Sequence, residues 1–208
     1  MQRVKKSSLK QTLVYTWYLY PLIGIFLALL WLWAFPTFHQ PTAHQMLNIF
    51  FASEVKSGSF LKELSKDYDR ETLRQVDYSY SLRETPGFAN KLQIAVNSSD
   101  ILILDEPTLK DFEKSIDNFF VEIDNSIKTN YLKDSYTYYS KEGKDYAILF
   151  KEKEQDHYLK EYMDFNESEN YYLVLSVSSK NLGSIYDENN AHYDNALTFI
   201  NHLMKEGV

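Results

Sequence analysis

At 208 residues the chain has room for one membrane span and one domain of ordinary size. Arg3, Lys5, Lys6 and Lys10 give the first thirteen residues +4, residues 14–46 carry no Asp, Glu, Lys or Arg, and the net −7 of the whole leaves −11 on residues 47–208. So acidic a domain repels phosphate backbones and argues against nucleic acid as a partner; with no cysteine at all, disulfides, thiolate metal sites, thiol nucleophiles and a lipidated cysteine anchor are excluded.

The first predicted element is a membrane-spanning helix over residues 14–35, preceded by a cytoplasmic basic tail at 1–13. Its 22 residues match the ~20 that a helix needs to cross the hydrocarbon core. Eleven of them are Leu, Ile, Val or Phe, which together favour insertion by on the order of 5 kcal/mol. Tyr15, Trp17, Tyr18 and Tyr20 at one end and Trp31 and Trp33 at the other resemble interfacial belts. Pro21 either kinks the helix or marks where its regular part starts. All nearby basic residues precede the span, so the N-terminus is expected to stay in the cytoplasm and the rest to be extracellular, in a single-pass cell-membrane protein. The competing reading, a cleaved signal peptide, fits less well because the apolar run is long and no small-x-small site follows it closely. Residues 36–46, with Pro36 and Pro41, read as a short stiff spacer.

From Leu47 to Val208 the pattern is that of one α/β domain. Leu47–Ala52 is strand-like, and Phe60, Leu61, Leu64 and Tyr68 fall at helical spacing. Leu73–Tyr80 is a second strand. Thr85 and Pro86 start a helix whose apolar face is Phe88, Leu92, Ala95 and Val96. Ile101–Leu104 is a continuous apolar run, expected of a strand buried on both faces. Pro107 and Thr108 open a third helix with Leu109, Phe112, Ile116 and Phe119 on one face. This βαβαβα order predicts an open, mostly parallel sheet. The second half reads differently: a strand at Phe120–Ile123, a hairpin of Tyr136–Ser140 with Tyr146–Phe150, a strand at Tyr171–Val177, and a closing amphipathic helix over Ala191–Lys205 carrying Tyr193, Leu197, Ile200 and Met204.

The pieces LNIFFASEVKSGSFLKEL, AVNSSDILILDEPTLKDF and YYLVLSVSSKNLGSIYDENNAHYDNALTFINHLM resemble the type 2 periplasmic-binding-protein fold. More narrowly, the chain is similar to small membrane-anchored relatives of the extracellular solute-binding proteins of Firmicutes. Ser53-Glu54, Ser99-Asp100 and Tyr171-Tyr172 stand where that group has its strand-end and strand-start features. The resemblance implies two lobes, the second one reduced and tyrosine-rich, with the late helix returning to the first. It also implies a membrane-tethered domain binding a small solute or peptide-like ligand for a transporter or sensor. Trp17, Trp31 and Trp33 all belong to the membrane segment, so only Tyr or Phe is left to stack on a sugar.

In open α/β sheets, ligands sit beyond the carboxyl ends of the strands, which here carry Ser53, Glu54, Tyr80, Ser81, Asp105 and Glu106. The same residues serve equally as loop and cap residues, Asp105 and Glu106 favouring a helix N-terminus by charge. Tyrosines crowd the second half, Tyr136 and Tyr138 among them, and suit both a ligand cleft and plain strand composition. No HxH, HExxH, GxSxG, GxGxxG or Walker-type pattern occurs. No catalytic residues, metal or cofactor are therefore expected. The alternative to a binding module is a structural protein whose extracytoplasmic domain docks on another envelope protein without any small ligand.

Overall fold

The computed structural model describes residues 17, 19–64, 72–133, 135–182 and 194–204. The basic tail at 1–13, Tyr15 and Tyr18 of the first aromatic belt, and Tyr68 and Tyr193 lie outside the described residues. Residues 1–40 and residues 41–208 form separate compact units.

In the first unit, helix α1 runs Leu19–His39, 21 residues. Pro21 stands in its first turn, where an amide has no intrahelical acceptor and its loss is harmless, so it marks the start of the helix. At the other end α1 continues past Phe35, through Pro36, into the stretch expected to be spacer. Leu22, Phe26, Leu29 and Trp33 are each more than half exposed, as are Ile23, Leu27 and Trp31 on other faces. Apolar side chains thus cover the whole circumference, with no face set aside for a water-soluble core. Over the residues whose side chains are described, 19–35, no helix is long and apolar enough to cross a membrane; the 21-residue span belongs to the backbone helix as a whole.

The second unit is mixed α/β. Among the described residues its strands are β1 (Met46–Phe51), β2 (Glu54–Val55), β3 (Gln75–Tyr80), β4 (Ile101–Asp105), β5 (Tyr138–Lys141), β6 (Lys144–Lys151), β7 (Met163–Asp164) and β8 (Tyr171–Leu175). Six of them form one sheet in the order β3–β1–β4–β8–β6–β5, and β2 pairs with β7 as a small separate ladder. β3, β1 and β4 are parallel, whereas β8, β6 and β5 add on antiparallel. The expected mostly parallel sheet with a separate smaller lobe is therefore corrected: both halves share one continuous sheet. The cause lies at β4. Buried along both faces and both edges, it needs a partner on each side, and the apolar YYLVL run of β8 supplies the second.

Strand alternation divides the interior in two. Leu47, Ile49 and Phe51 of β1 and Ile101 and Ile103 of β4 face one side. They meet Phe60 and Leu61 of α2 (Ser59–Leu64), Ile127 of α6 (Asn125–Tyr131), and Leu197, Phe199, Ile200 and Leu203 of α7 (Asn195–Leu203). Phe50, Leu102 and Leu104 face the other side, against α3 (Phe88–Ser98), α4 (Glu106–Asp111) and α5 (Ile116–Phe119). The four α3 residues predicted as an apolar face are the four it buries. Its start is later than expected. Gly87 adopts φ 86°, ψ 7°, and the Phe88 amide donates to the Thr85 carbonyl at 3.0 Å. Thr85-Pro86-Gly87 therefore closes a turn that holds the helix off until Phe88. The third helix is likewise broken, into α4, a 3-10 turn and α5. Phe120–Ile123 is irregular apart from one bridge, Phe120 to Ser176, and Asp124 caps α6 instead. β5 starts two residues later than predicted and β6 is longer, the loop between them being shorter because Glu142 (φ 53°) and Gly143 (φ 81°) turn the chain in two residues.

At the amino ends of the parallel strands lies a buried polar web. Asp100 accepts hydrogen bonds from the Asn48 amide (2.8 Å), the Ser179 hydroxyl (2.5 Å) and the Asn181 side-chain amide (3.0 Å). Asn181 Nδ2 also donates to the Met46 carbonyl, and Asn195 Nδ2 donates to the His44 and Thr72 carbonyls. Burial pushes the Asp100 carboxyl above its ordinary value, and the bonds converging on it pull the other way. All these groups are donors. Asp100→Asn would aim an NH2 at donors, so the variant should lose about 1–3 kcal/mol of stability, measured by urea unfolding in detergent micelles. Unchanged stability would show that the web is not a structural tie.

Candidate functional site

The register of the parallel strands gathers the residues expected at their carboxyl ends. Phe51 pairs with Tyr80 on one side and Ile103 on the other, which brings the segments carrying Ser53, Ser81 and Asp105 to the same end of the sheet. All three are buried, at 0, 3 and 4% exposure, so this end is closed over. Among the described residues the Ser53 and Ser81 hydroxyls have no hydrogen-bond partner. Asp105 caps α4, its Oδ1 accepting from the Thr108 amide at 2.8 Å. Arg83 extends over the cap to Thr108 Oγ1 (3.3 Å) and Asp111 (3.0 Å). Glu106 accepts from Lys110 (2.6 Å) and Asn170 (2.9 Å), and its carboxyl is held below the usual value chiefly by the Lys110 bond. Glu54 belongs to the β2–β7 ladder and Tyr80 is exposed at the end of the edge strand β3. Asp105 and Glu106 thus work as cap and ion pair.

A concavity lies elsewhere, at the edge formed by β5 and β6. A cleft of about 760 Å³ opens between the segment leading into β5, the end of β6, the turn after it and the end of α7. Of the eight candidate residues only Tyr136 lines it. Tyr138 packs against the core, with the Lys128 ammonium 4.7 Å from its ring centre. Several other tyrosines of the second half are packing residues, among them Tyr146 and Tyr171 in the core and Tyr139 edge-on to Tyr172.

Two tyrosine tips fix one wall of the cleft. The Tyr136 hydroxyl donates to Asn201 Oδ1 at 3.0 Å, and the Tyr158 hydroxyl donates to the Leu203 carbonyl at 2.6 Å, so both hold the last turn of α7. The floor holds His157 and Lys151. The His157 ring lies 4.5 Å from Phe150 and 4.6 Å from Tyr158, centre to centre, and its Nδ1 accepts from the Leu159 amide at 3.3 Å. Burial, reinforced by the Lys151 charge, lowers its pKa to about 4, so the imidazole is neutral at pH 7. Lys151, only 5% exposed, donates to the Glu152 carbonyl at 3.2 Å and lies 5.9 Å from the Tyr171 ring centre. Burial lowers its pKa. Among the described residues it has no carboxylate partner and no group of His, Asp and Glu could hold a metal ion.

The sequence reading missed Lys151 and His157 as cleft residues. The available signal was slight: a lysine that continues the apolar run AILF in strand register, followed by a charged turn. A second, apolar groove of about 400 Å³ lies between α3 and the α4–α5 segment, lined by Phe88, Leu92, Phe112 and Phe119. None of the six strand-end residues lines either concavity.

The unfolded chain protonates His157 near its ordinary 6.5, whereas the folded chain resists until about 4. Its contribution to stability therefore falls as pH drops through that window, by on the order of 3 kcal/mol. Urea unfolding at pH 7 and pH 4 should show a smaller acid-side loss for His157→Gln than for the parent. Equal losses would mean the imidazole is not buried neutral. Compared with protein-family models, with characterised proteins and with solved structures, the chain matches none.

Proposed function

We propose that the chain is a single-pass membrane protein whose domain, held outside the cell, binds a small solute or peptide-like ligand in the β6–α7 cleft for a transporter or sensor. The cleft carries this reading. Its volume suits a small organic ligand, and it gathers a buried lysine and tyrosine hydroxyls at one edge of the sheet. The resemblance of three sequence pieces to extracellular solute-binding proteins supports it, with the ligand held at the margin of one sheet. α1 supports the tether. Its 21 residues, at ~1.5 Å each, extend about 30 Å, and its described side chains are apolar all round. The basic residues before it favour a cytoplasmic N-terminus.

The apolar groove between α3 and α5 favours a second reading, in which the domain docks on another envelope protein. The two separate in a thermal-shift screen of the full chain in detergent micelles against sugars, amino acids and oligopeptides. A ligand of the cleft raises the melting temperature of the parent and leaves that of Thr137→Trp, which fills the cleft, unmoved; no shift with any compound favours docking. For the tether, the double variant Leu27→Arg, Leu30→Arg should leave the membrane fraction under alkaline carbonate while the parent stays. Protease added to whole cells should shave off most of the parent polypeptide. Release of the parent by carbonate, or its full protection from protease, would overturn the topology.

A further inference from the structure

Resting on the cleft reading above, we infer that the cleft selects ligands bearing a single carboxylate, and that the Lys151 ammonium is the group that receives it. The inference comes from matching charges and donors around the cleft. A lysine ammonium has three donors, and Lys151 uses one, on the Glu152 carbonyl. It is nearly buried with no carboxylate in ion-pair contact among the described residues, and the charges of Glu167 and Asp156 offset only part of the desolvation, which remains the largest effect on it. The Tyr171 ring offsets part of this through its π face. Lys133, on the opposite segment of the wall, is exposed and also has no ion pair among the described residues.

The two carboxylates of the cleft are already engaged. Glu152 accepts from the Gln155 amide at 2.7 Å, and Asp156 from Lys160 at 2.6 Å. Two cations are left to meet an incoming anion. The same two carboxylates, in a domain of net −11, weigh against a dianion such as phosphate. Among the described residues lining the cleft there is also no arginine to offer the fork that phosphate sites employ. His157 does not compete, since Nδ1 is taken by Leu159 and the ring bonds the Phe150 backbone as well.

The test is calorimetric titration of the full chain in detergent micelles with matched pairs, each a monocarboxylic acid and its primary amide: lactate and lactamide, alanine and alaninamide, trialanine and trialanine amide. Inorganic phosphate is the dianion control. At least one acid should bind ten-fold or more tightly than its amide, and Lys151→Met should abolish that preference. Exposed Lys133→Gln should weaken it two- to five-fold. The unfolding midpoint of Lys151→Met should be no lower than that of the parent, because it removes a buried charge and keeps the chain length. Amides binding as well as acids, phosphate binding more tightly than any acid, or an unchanged preference in Lys151→Met would each overturn the inference. If acids and amides bind alike and Thr137→Trp abolishes both, the cleft still binds ligands and only the carboxylate assignment fails. If no compound binds, both fall together.

Discussion

Asp100 stands at the point where β1, β4, the strand-exit segment after β8 and the entry to α7 converge, and each of them reaches its carboxylate directly or through Asn181. Residues up to 81 positions apart are joined by it. The hydrophobic layers already resist a slip of β8, which would turn its side chains to the other face, and the donors around the carboxylate favour the same register by direction. This acidic group therefore ties together the elements on which the two cores are built. Burying it is unfavourable taken alone, and the converging hydrogen bonds make the position tenable.

From that point the sheet grows in two directions with different chemistry. Toward β3 it is parallel and wound with helices, and its carboxyl ends are sealed by the Asp105 cap, the Arg83 bridge and the closed-over serines. Toward β5 it is antiparallel, so loops from both ends of the strands come to one margin. The turn after β6 folds back there against the end of α7. The concavity lies at this margin, bordered by the segment into β5, the turn after β6 and the end of α7, whereas the parallel half is covered on both faces.

Much of the fold was legible in the sequence. The ILIL strand, the α3 face, the hairpin and the closing helix all follow from periodicities of 2 and 3.6 residues, which report burial directly. Pairing direction was less legible, because an apolar run such as YYLVL reads alike whether its neighbour is parallel or antiparallel. The two-residue β2–β7 ladder was invisible for a simpler reason: two residues have no period. For the candidate site, the strand-end rule pointed to residues that do lie at or just beyond the strand ends, yet Asp105 and Glu106 serve as a cap and an ion pair, and none of the six lines the cleft. Of the cleft residues, Tyr136 was found through composition alone. Lys151 was missed because its burial arises from the turn folding over it, a contact that no local pattern encodes.

The hydroxyl of Tyr136 serves two masters, since it borders the cleft and also pins Asn201. Any guest that demands that proton must take it from the helix, and the latch on the final turn is then left to Tyr158. The far end of α7, at Asn195, is moored eight residues before Leu203 to the web around Asp100. The closing helix is thus a mechanical link between the cleft at one margin and the chain's entry into the sheet.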